Sequence, residues 1–480
     1  MKQQVFNPYL PSWEYIPDGE PRVFGDRVYV YGSHDRFNAP IFCVNDYVCW
    51  SAPVDDLSDW RYEGVIDKKN QDPKNKLGLR LLFAPDVVRG VDGRYYLYYA
   101  FDFMGITGVA VCDSPAGQYE FYGYVHYADG TIWGRRKGDQ FPFDPGVLVD
   151  DDGRVWHYSG FYTPTPAIVT GGKQLRNDGG VVMELEQDMV TIKTEPKVIF
   201  PKEGPGSFKD HEFFEASSIR KDGDRYIFVY SSRHNHELCY AVSHRPDGDF
   251  QFGGTLVSLG DLFLDGRVDE KDGVNYLGNT HGGMLNIGDD WYIFYHRQTN
   301  RHSYSRQACA EKLVRTEDGR FLQAEVTSCG LNGGPLKGEG RYEARIACNL
   351  WSKDGVGRYD GSNPRKRLEA HPYFTQTGKD RMENGDQYIA NMRDGAVAGF
   401  KYFDFQGLCQ VGITVGGAGE GKMQISTEPD FSAICGELPI STDGAYMDLV
   451  TECSIPDGVH ALYFKFTGRG FVNFSAFELQ

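Results

Sequence analysis

Five polar residues stand at similar distances ahead of five Asp/Gly turns in the first two thirds of the chain. They are Asp18, Asp86, Asp144, Glu215 and His281, and each introduces a short apolar strand. The aspartates that mark the turns follow them by 8, 6, 8, 7 and 8 residues, at Asp26, Asp92, Asp152, Asp222 and Asp289. Carboxylates gathered at one place repel one another and raise at least one pKa, so such a cluster indicates chemistry or a bound cation. A single Asp beside Pro or Gly also caps turns without any function, so the shared spacing carries the argument.

Two carboxyl groups with different pKa values can hydrolyse a glycosidic bond, because one protonates the leaving oxygen while the other activates water or attacks the sugar. Glu215 lies between Phe214 and Ala216. Burial in such apolar surroundings predicts the raised pKa of a general acid. Asp18 lies near Arg22 in the sequence, so we expect it to stay ionised and to suit the base.

The other three members of the set have less specific interpretations. Asp144 or Asp86 could orient the acid or tune its pKa. His281 takes the acid's position in the last repeat, where it could bind a sugar hydroxyl, lie near a cation or water in a channel, or have a structural role. The sequence has no GxSxG, P-loop, HExxH or helix-opening GxGxxG motif, which disfavours the corresponding chemistries.

The turns belong to an internal repeat in which an Asp/Gly turn precedes an alternating aromatic and aliphatic strand. The copies read GDRVYVYGSHD, VDGRYYLYYAFD, DDGRVWHYSGF, KDGDRYIFVYSS and IGDDWYIFYHR. The marker aspartates are 66, 60, 70 and 67 residues apart, which suits one four-stranded blade each. The repeat predicts a five-bladed β-propeller over residues 1–332, whose innermost strands bring the polar residues to one rim.

The repeat ends at about residue 333. Strands with alternating polarity follow, such as QYIANM, VAGFKYFDF and HALYFKFTG, and Gly/Asp turns separate them. This pattern predicts a β-sandwich over residues 333–480 and an all-β protein overall.

Composition limits the partners and the compartment. The net charge of −17 disfavours a nucleic-acid partner, and no apolar run approaches the roughly 18 residues of a membrane span. The ten cysteines include no CxxC pair, which favours free buried thiols over disulfides or cysteine-bound metal. The start, MKQQVFNPYL, lacks the features of a secretory signal. We therefore expect a cytoplasmic protein, unless a leader has been removed.

Several segments resemble the blade motifs of glycoside hydrolase family 43. They are NPYLPSWEYIPDGEPRVFGDRVYVYGSHD, FAPDVV, FDPGVLVDDDGRVWHYSG and FFEASSIRKDGDRYIFVYSS. The family contains five-bladed enzymes that act mainly on arabinose- and xylose-containing polysaccharides. The resemblance covers about residues 5–330. It implies an exo-acting, inverting hydrolase that needs no cofactor or metal for its chemistry and releases L-arabinofuranose or D-xylose from oligosaccharides or polysaccharides. A family member acting on another sugar, such as β-galactan, and a propeller that binds carbohydrate without cleaving it are the open alternatives.

The resemblance also implies catalytic roles. It places the general base at Asp18, the orienting and pKa-modulating aspartate at Asp144, and the general acid at Glu215. The family's Asp-Pro-Ser after the base reads Asp-Gly-Glu-Pro here, which makes Glu20 a weaker rival for Asp18.

Four residues are predicted to bind substrate. Asp86 matches the aspartate of the family's Trp-Ala-Pro-Asp motif, a supporting pocket residue, and Phe83 replaces the Trp. Arg306, in YSRQACAEKL, is similar to a last-blade arginine that contacts substrate. His281 completes the set through its position in the repeat.

The second domain has a resemblance of its own. AVAGFKYFDF and VHALYFKFTGRGFVNFSAFEL resemble family 6 carbohydrate-binding modules, which implies sugar binding and, in many such modules, a structural calcium ion. A domain that only packs on the propeller is the open alternative.

Overall fold

The computed structural model describes residues 3–359, 369–382 and 385–480. Within these ranges the regular structure consists of β-strands and five single-turn 3₁₀ helices, which span Lys69–Gln71, Asp102–Met104, Glu270–Asp272, Gly330–Asn332 and Ala344–Ile346. None of the helices in the described ranges reaches the length and hydrophobicity that a membrane crossing requires. The expected all-β class is therefore confirmed.

The first nineteen strands form five antiparallel sheets in chain order, and these are the blades of a five-bladed propeller. Blade 1 contains β1 (Glu20–Phe24), β2 (Arg27–Tyr31), β3 (Tyr47–Pro53) and β4 (Arg61–Asp67). Blade 2 contains β5 (Leu82–Arg89), β6 (Tyr95–Phe101), β7 (Thr107–Cys112) and β8 (Glu120–Tyr124). Blade 3 contains β9 (Gly146–Val149), β10 (Val155–Ser159), β11 (Gly179–Leu185) and β12 (Lys197–Pro201). Blade 4 contains β13 (Phe213–Asp222), β14 (Arg225–Ser232), β15 (Glu237–Ser243) and β16 (Gln251–Ser258), and blade 5 contains β17 (Met284–Ile287), β18 (Asp290–Thr299) and β19 (His302–Leu313).

The aromatic strands that mark the repeat are buried on both faces, because each blade packs against two neighbours. In β6, Tyr96 and Tyr98 join the hydrophobic cluster shared with blade 3, while Leu97 and Tyr99 join the cluster shared with blade 1. Successive side chains of a strand point to opposite faces, so an unbroken run of large residues suits a strand between two packed sheets. The packing explains the run YYLYYAF.

The N-terminal segment closes the ring. The Asn7 side chain exchanges hydrogen bonds with the backbone of Ala310, and the Tyr9 N–H donates to the carbonyl of Ala308. Residues from the start of the chain are thereby fixed along β19 of the last blade.

The inner hairpins of the five blades align with one another when residues are counted back from the last backbone pair before each turn. Counting from the turn aspartates does not give this agreement. These last pairs begin at Phe24, Gly90, Asp150, Asp222 and Ile287. Six residues before each of them lie what we call the mouth positions, Asp18, Ala84, Asp144, Ala216 and His281. Four of the five have positive φ, at 58°, 42°, 45° and 70° in blades 1 to 4. A left-handed residue at or just before the start of the inner strand is thus a repeated feature of blades 1 to 4.

The remaining strands form the second domain. They are β20 (Leu336–Lys337), β21 (Gly340–Glu343), β22 (Asn349–Trp351), β23 (Tyr373–Gln376), β24 (Gln387–Met392), β25 (Val397–Phe405), β26 (Gln410–Ser426), β27 (Ile434–Glu452) and β28 (Gly458–Leu479). Hydrogen bonds link all nine into one curled sheet, because the long strand β28 pairs with β21, β24, β25 and β26. The sandwich is therefore built from one continuous sheet.

The second domain packs closely on the propeller. Tyr276 of the propeller belongs to the hydrophobic core of the second domain, and Cys348 of the second domain belongs to a propeller cluster. The backbone of Leu277 exchanges hydrogen bonds with Gly357 and Tyr359. The division at residues 332 and 333 and the resemblance to a carbohydrate-binding module stay predictions.

Candidate active site

A cavity of about 260 Å³ opens at the mouth positions of the propeller. Its polar lining includes Asp18, Asp144, Glu215, His281 and Arg306, and Phe83 belongs to its apolar lining. The structure therefore brings together six of the seven residues predicted from the sequence. Asp86 is the exception.

Asp18 is held in its ionised form. Its carboxylate pairs with the Arg306 guanidinium, with Oδ1 at 2.9 Å from Nη1. The Asp18 N–H donates to Nδ1 of His296, whose Nε2 contacts the carbonyl of Asn279. Burial alone would raise the pKa of Asp18, but the charge of Arg306, together with smaller contributions from His296 and His281, holds this pKa below its ordinary value.

Arg306 is itself fixed from behind by Asp35. The guanidinium Nε and Nη2 donate to the two oxygens of Asp35 at 2.9 and 3.1 Å, and the Arg306 N–H donates to the same carboxylate. Asp35 is fully buried, and Arg306 is 2% exposed. Two carboxylates thus share one cation, and the geometry leaves Nη1 for Asp18.

Asp144 and His281 form a second charged pair. His281 Nδ1 lies 3.4 Å from Oδ2 of Asp144, which also accepts a hydrogen bond from the N–H of Ala216. Burial opposes the charged form of His281, but Asp144 raises the histidine pKa to about 9. Burial likewise raises the pKa of Asp144, although His281 favours its ionised form. His281 therefore serves as a cation against Asp144.

Glu215 has the environment of a proton donor. Burial, followed by the charge of Asp144, raises its pKa well above the ordinary value. Within the part of the chain described here, no hydrogen bond is made to its carboxyl group. Glu215 stands one residue before the mouth position of its blade, and the pairing of β13 with β14 is irregular on both sides of it. A shift of one residue would turn a side chain to the other face of a strand, and this bulge restores the direction toward the cavity.

Asp86 does not reach the cavity, which corrects the prediction that it binds substrate. It lies two residues beyond the mouth position Ala84, and therefore deeper in the channel. There it is fully buried, pairs with Arg22 at 2.6 Å, and accepts a hydrogen bond from the N–H of Val147. The prediction counted residues back from the turn aspartate, and this count misplaced Asp86 because the turns of the inner hairpins differ in length.

The same layer of the channel contains Glu20, the rival for the base. Glu20 pairs with Arg220 at 2.7 Å and accepts a hydrogen bond from Ser218. Its carboxylate does not line the cavity. Arg22, which the sequence associates with Asp18, instead pairs with Asp86.

Two residues of the site were missed by sequence reasoning. Asp35 and His296 both contact the Asp18–Arg306 pair. Asp35 ends the segment GSHD directly after β2, and a charged residue following a fully buried strand is a signal that could have drawn attention to it. His296 lies within the buried strand β18 and carries no such signal.

Six phenylalanines form an aromatic wall of the cavity. The wall consists of Phe42, Phe83, Phe103, Phe143, Phe161 and Phe214. The rings of Phe103 and Phe143 stack with centroids 5.6 Å apart, and those of Phe143 and Phe161 lie 4.6 Å apart. Aromatic faces bind the apolar C–H face of a sugar ring and exclude water from the carboxyl groups.

Comparison with known proteins decides the family. The model of glycosyl hydrolases family 43 matches residues 16–321, which contain all of the residues predicted for the site.

The chain belongs to glycoside hydrolase family 43.

Relatives of this family 43 chain extend over both domains. It is 50% identical over 484 residues to a xylosidase/arabinosidase of Thermoclostridium stercorarium, covering 100% of this chain and 99% of the relative. An arabinoxylan arabinofuranohydrolase from Bacillus subtilis, in complex with cellotetraose, is 21% identical with a TM-score of 0.50 and covers 97% of this chain and 96% of that one. A β-xylosidase/α-arabinofuranosidase from a compost microbial metagenome is 24% identical with a TM-score of 0.52 over 68% of this chain and 98% of that one. The two structures support the fold.

The family 43 enzyme is a glycosidase that hydrolyses O-glycosyl bonds, which displaces the interpretation as a non-catalytic propeller. Hydrolysis in this family needs no cofactor, because carboxyl groups serve as acid and base.

Proposed function

We propose that the enzyme releases single L-arabinofuranosyl or D-xylosyl units from the ends or side branches of plant-derived oligosaccharides, with inversion of configuration. One observation carries the proposal: the same cavity contains a carboxylate held ionised, Asp18, and a carboxyl group held protonated, Glu215. A volume of about 260 Å³ lies below the roughly 300–1,000 Å³ of sites for larger ligands. That size suits one sugar unit and favours exo action.

In the proposed reaction the sugar binds with its apolar face against the aromatic wall. Glu215 gives its proton to the glycosidic oxygen of the leaving group, while Asp18 takes a proton from a water molecule that attacks the anomeric carbon from the opposite side. Burial and the negative charge of Asp144 raise the pKa of Glu215 and keep it protonated. Arg306 keeps Asp18 ionised and oriented.

The choice of sugar rests on the relatives. The relative with 50% identity is named a xylosidase/arabinosidase, and others matched over most of this chain are named arabinoxylan arabinofuranohydrolases. Because the first of these covers the full length, we propose the same pair of pentoses for this enzyme.

We propose that the enzyme works without the structural calcium ion expected from the resemblance. In the channel below the cavity, Arg22 and Arg220 already pair with the carboxylates of Asp86 and Glu20. In the second domain, no group of three or more His, Cys, Asp or Glu side chains among the described residues is close enough to hold an ion. We propose that the arginines take the place of a cation in the channel, so treatment with EDTA should leave the rate of hydrolysis unchanged.

The test of the function uses 4-nitrophenyl α-L-arabinofuranoside and β-D-xyloside. Asp18→Asn should lose about 10²- to 10⁴-fold in kcat on the nitrophenyl glycoside that the wild type cleaves, because it lacks the proton acceptor for water. Glu215→Gln should lose about as much on the matching xylo- or arabino-xylo-oligosaccharide, whose leaving alkoxide needs protonation far more than nitrophenolate does. Circular dichroism and thermal unfolding check that both variants fold, and NMR of the first-formed sugar anomer reports inversion. Near-normal turnover by either variant would refute its assignment.

We also propose that the enzyme works in a reducing compartment such as the cytoplasm. All ten cysteines are free, and seven of them are buried. Cell fractionation with an antibody against the chain tests this proposal.

A further inference from the structure

Two residues of the cavity wall come from the second domain rather than from the propeller. They are Arg358 and Tyr359, at the end of a segment that follows β22. This segment lies beside the chain that leads into blade 5, since the Leu277 N–H donates to the carbonyl of Gly357 at 3.1 Å and the Tyr359 N–H donates to the carbonyl of Leu277 at 2.7 Å. The two domains therefore build the cavity together.

Tyr359 anchors the segment. Its ring stacks on that of Tyr276 at 4.9 Å with an interplanar angle of 13°, and its carbonyl accepts a hydrogen bond from the Ser303 hydroxyl at 2.8 Å. The side chain is 2% exposed and packs in the core of the second domain. An anchored neighbour on its C-terminal side limits the freedom of the Arg358 backbone.

The Arg358 guanidinium is held on two of its three nitrogens. Nη2 donates to the carbonyl of His234 at 2.9 Å and pairs with Glu270, and Nε lies 3.4 Å from the same carboxylate. Nη1 has no hydrogen-bond partner among the described residues. The side chain is 25% exposed. A fixed arginine with unused N–H donors at a cavity wall can bind an oxygen of a ligand, because a guanidinium only donates.

The contacts of Arg358 place it on the side of the general acid. His234 precedes Asn235, which also lines the cavity, in the turn between β14 and β15. The same blade carries Glu215, which pairs with Ser231 of β14, and the Ser231 hydroxyl donates to the side-chain oxygen of Asn235. The acid protonates the leaving oxygen, so groups near it face the part of the substrate beyond the cleaved bond.

We propose that Arg358, carried by the second domain, determines specificity by donating hydrogen bonds to the hydroxyl groups of the sugar on the leaving-group side. The second domain then recognises the chain from which the pentose is removed. The inference rests on the proposed function, because it takes Glu215 as the acid.

The experiment compares two substrates that differ in the leaving group. A 4-nitrophenyl glycoside has no sugar on that side, whereas a xylo- or arabino-xylo-oligosaccharide has one. Arg358→Ala should lower kcat/KM for the oligosaccharide about 10- to 100-fold, mainly through KM, as loss of a hydrogen bond to a charged donor predicts. The value for the nitrophenyl glycoside should change by less than about 3-fold. Arg358→Lys keeps the charge and should fall between Arg358→Ala and the wild type.

Arg341→Ala is the matched control, because Arg341 also belongs to the second domain but contacts Thr414 outside the cavity. Arg341→Ala should leave kcat/KM unchanged for both substrates. An equal loss on both substrates in Arg358→Lys, or an unchanged kcat/KM for the oligosaccharide in Arg358→Ala, would overturn the inference. If Arg358→Ala does not fold, the ratio of kcat/KM for the two substrates in Arg358→Lys tests the inference instead. Failure of the proposed function is distinct, because the wild type and Arg341→Ala would then cleave neither substrate.

Discussion

Second to burial, the negative charge of Asp144 raises the pKa of Glu215, the proposed general acid. After burial, the negative charge of Asp144 is the largest influence that raises the pKa of Glu215, and it exceeds the opposing influence of His281. Asp144→Asn removes that charge, so the pKa of Glu215 falls. An acid works only while protonated, and the protonated form is lost as the pH rises through its pKa. The alkaline limb of kcat/KM should therefore move to lower pH.

The pH profile on a xylo- or arabino-xylo-oligosaccharide, whose leaving oxygen must be protonated, tests this assignment when it is measured for the wild type and Asp144→Asn. We expect the acidic limb, which reports Asp18, to move less than the alkaline limb. A loss of rate with an unmoved alkaline limb would mean that Asp144 orients a group without tuning its pKa.

Arg306 has the opposite effect on the base. Arg306→Met takes away the cation that holds the pKa of Asp18 low, so this pKa should rise. A base works only while ionised, and the ionised form is lost as the pH falls through its pKa. The acidic limb of kcat/KM should move to higher pH, with a greater loss of rate at pH 5 than at pH 7. An equal loss at every pH would contradict the assignment.

The same substitution affects stability. It leaves Asp35 buried without its partner, which should lower the free energy of unfolding by about 3–5 kcal/mol in urea titrations. Arg306→Lys keeps the charge, so its acidic limb should move less and its free energy of unfolding should fall less than in Arg306→Met. It cannot form the paired hydrogen bonds to Asp35, so it should still differ from the wild type.

The sequence allowed us to predict which residues carry the chemistry, but not which side chains hold them in place. The carboxyl groups of Asp18, Asp144 and Glu215 were predicted because they stand at similar positions in the repeat and because hydrolysis needs an acid and a base. The support of Arg306 by Asp35 joins positions that are 271 residues apart. No local pattern encodes such a contact.

At the scale of strands and turns, the repeat predicted the five blades but not how deep in the channel each polar residue lies. Inner hairpins close with turns of different lengths, so the distance from a turn aspartate misplaced Asp86 by two residues. A displacement of two residues keeps the side chain on the same face and moves it roughly 6.6 Å along the strand. Asp86 thereby leaves the cavity and meets Arg22. For Glu215, the bulge in β13 compensates for its shift of one residue.

A glycine directly before the innermost strand of blade 5 makes room for the ion pairs of the channel. A Cβ at Gly283 would stand 2.4 Å from Oε2 of Glu20 and 2.8 Å from the hydroxyl oxygen of Ser218. Gly283→Ala would push Glu20 away from Arg220. We expect the free energy of unfolding to fall by about 1–3 kcal/mol, as overpacking of a filled interior predicts.

Gly334→Ala is the matched control, because nothing lies within 4 Å of a Cβ there. Urea unfolding of both variants measures the difference. Equal stabilities would show that Glu20 can move without loss, and that the network does not depend on this glycine.

For the whole molecule, the sequence predicted two β-domains with different patterns, and the family match and the sheets confirm the fold class. The interface between the domains was beyond the reach of sequence patterns. Its hydrogen bonds join irregular segments, such as that from Gly357 to Leu277, which carry no periodic signal. The contribution of Arg358 to the cavity follows only from the packing of one domain on the other.

The interface also predicts that the propeller depends on the second domain for stability. Arg297 of the propeller is 7% exposed, donates to the carbonyl of Ala347, and stacks over Phe374 at 3.8 Å. The Tyr15 hydroxyl donates to Gln376. Without the second domain, Arg297 loses the Ala347 carbonyl and Phe374, and Tyr15 loses Gln376. Each lost hydrogen bond contributes about 0.5–1.5 kcal/mol, or about 1.5–3 kcal/mol for the charged donor, and the apolar surface of the interface becomes exposed to water.

A fragment of residues 1–332 should therefore lose its cooperative thermal transition or unfold at a lower temperature than the full chain. It should also lose activity on the nitrophenyl glycosides. Cleavage at a protease site inserted between Gly333 and Gly334, which are exposed, provides the control. The nicked protein keeps the interface, so it should elute as one species in gel filtration with the activity of the intact chain. A 1–332 fragment with the thermal transition and the kcat/KM of the full chain would show instead that the propeller is an independent unit and that the second domain adds only recognition.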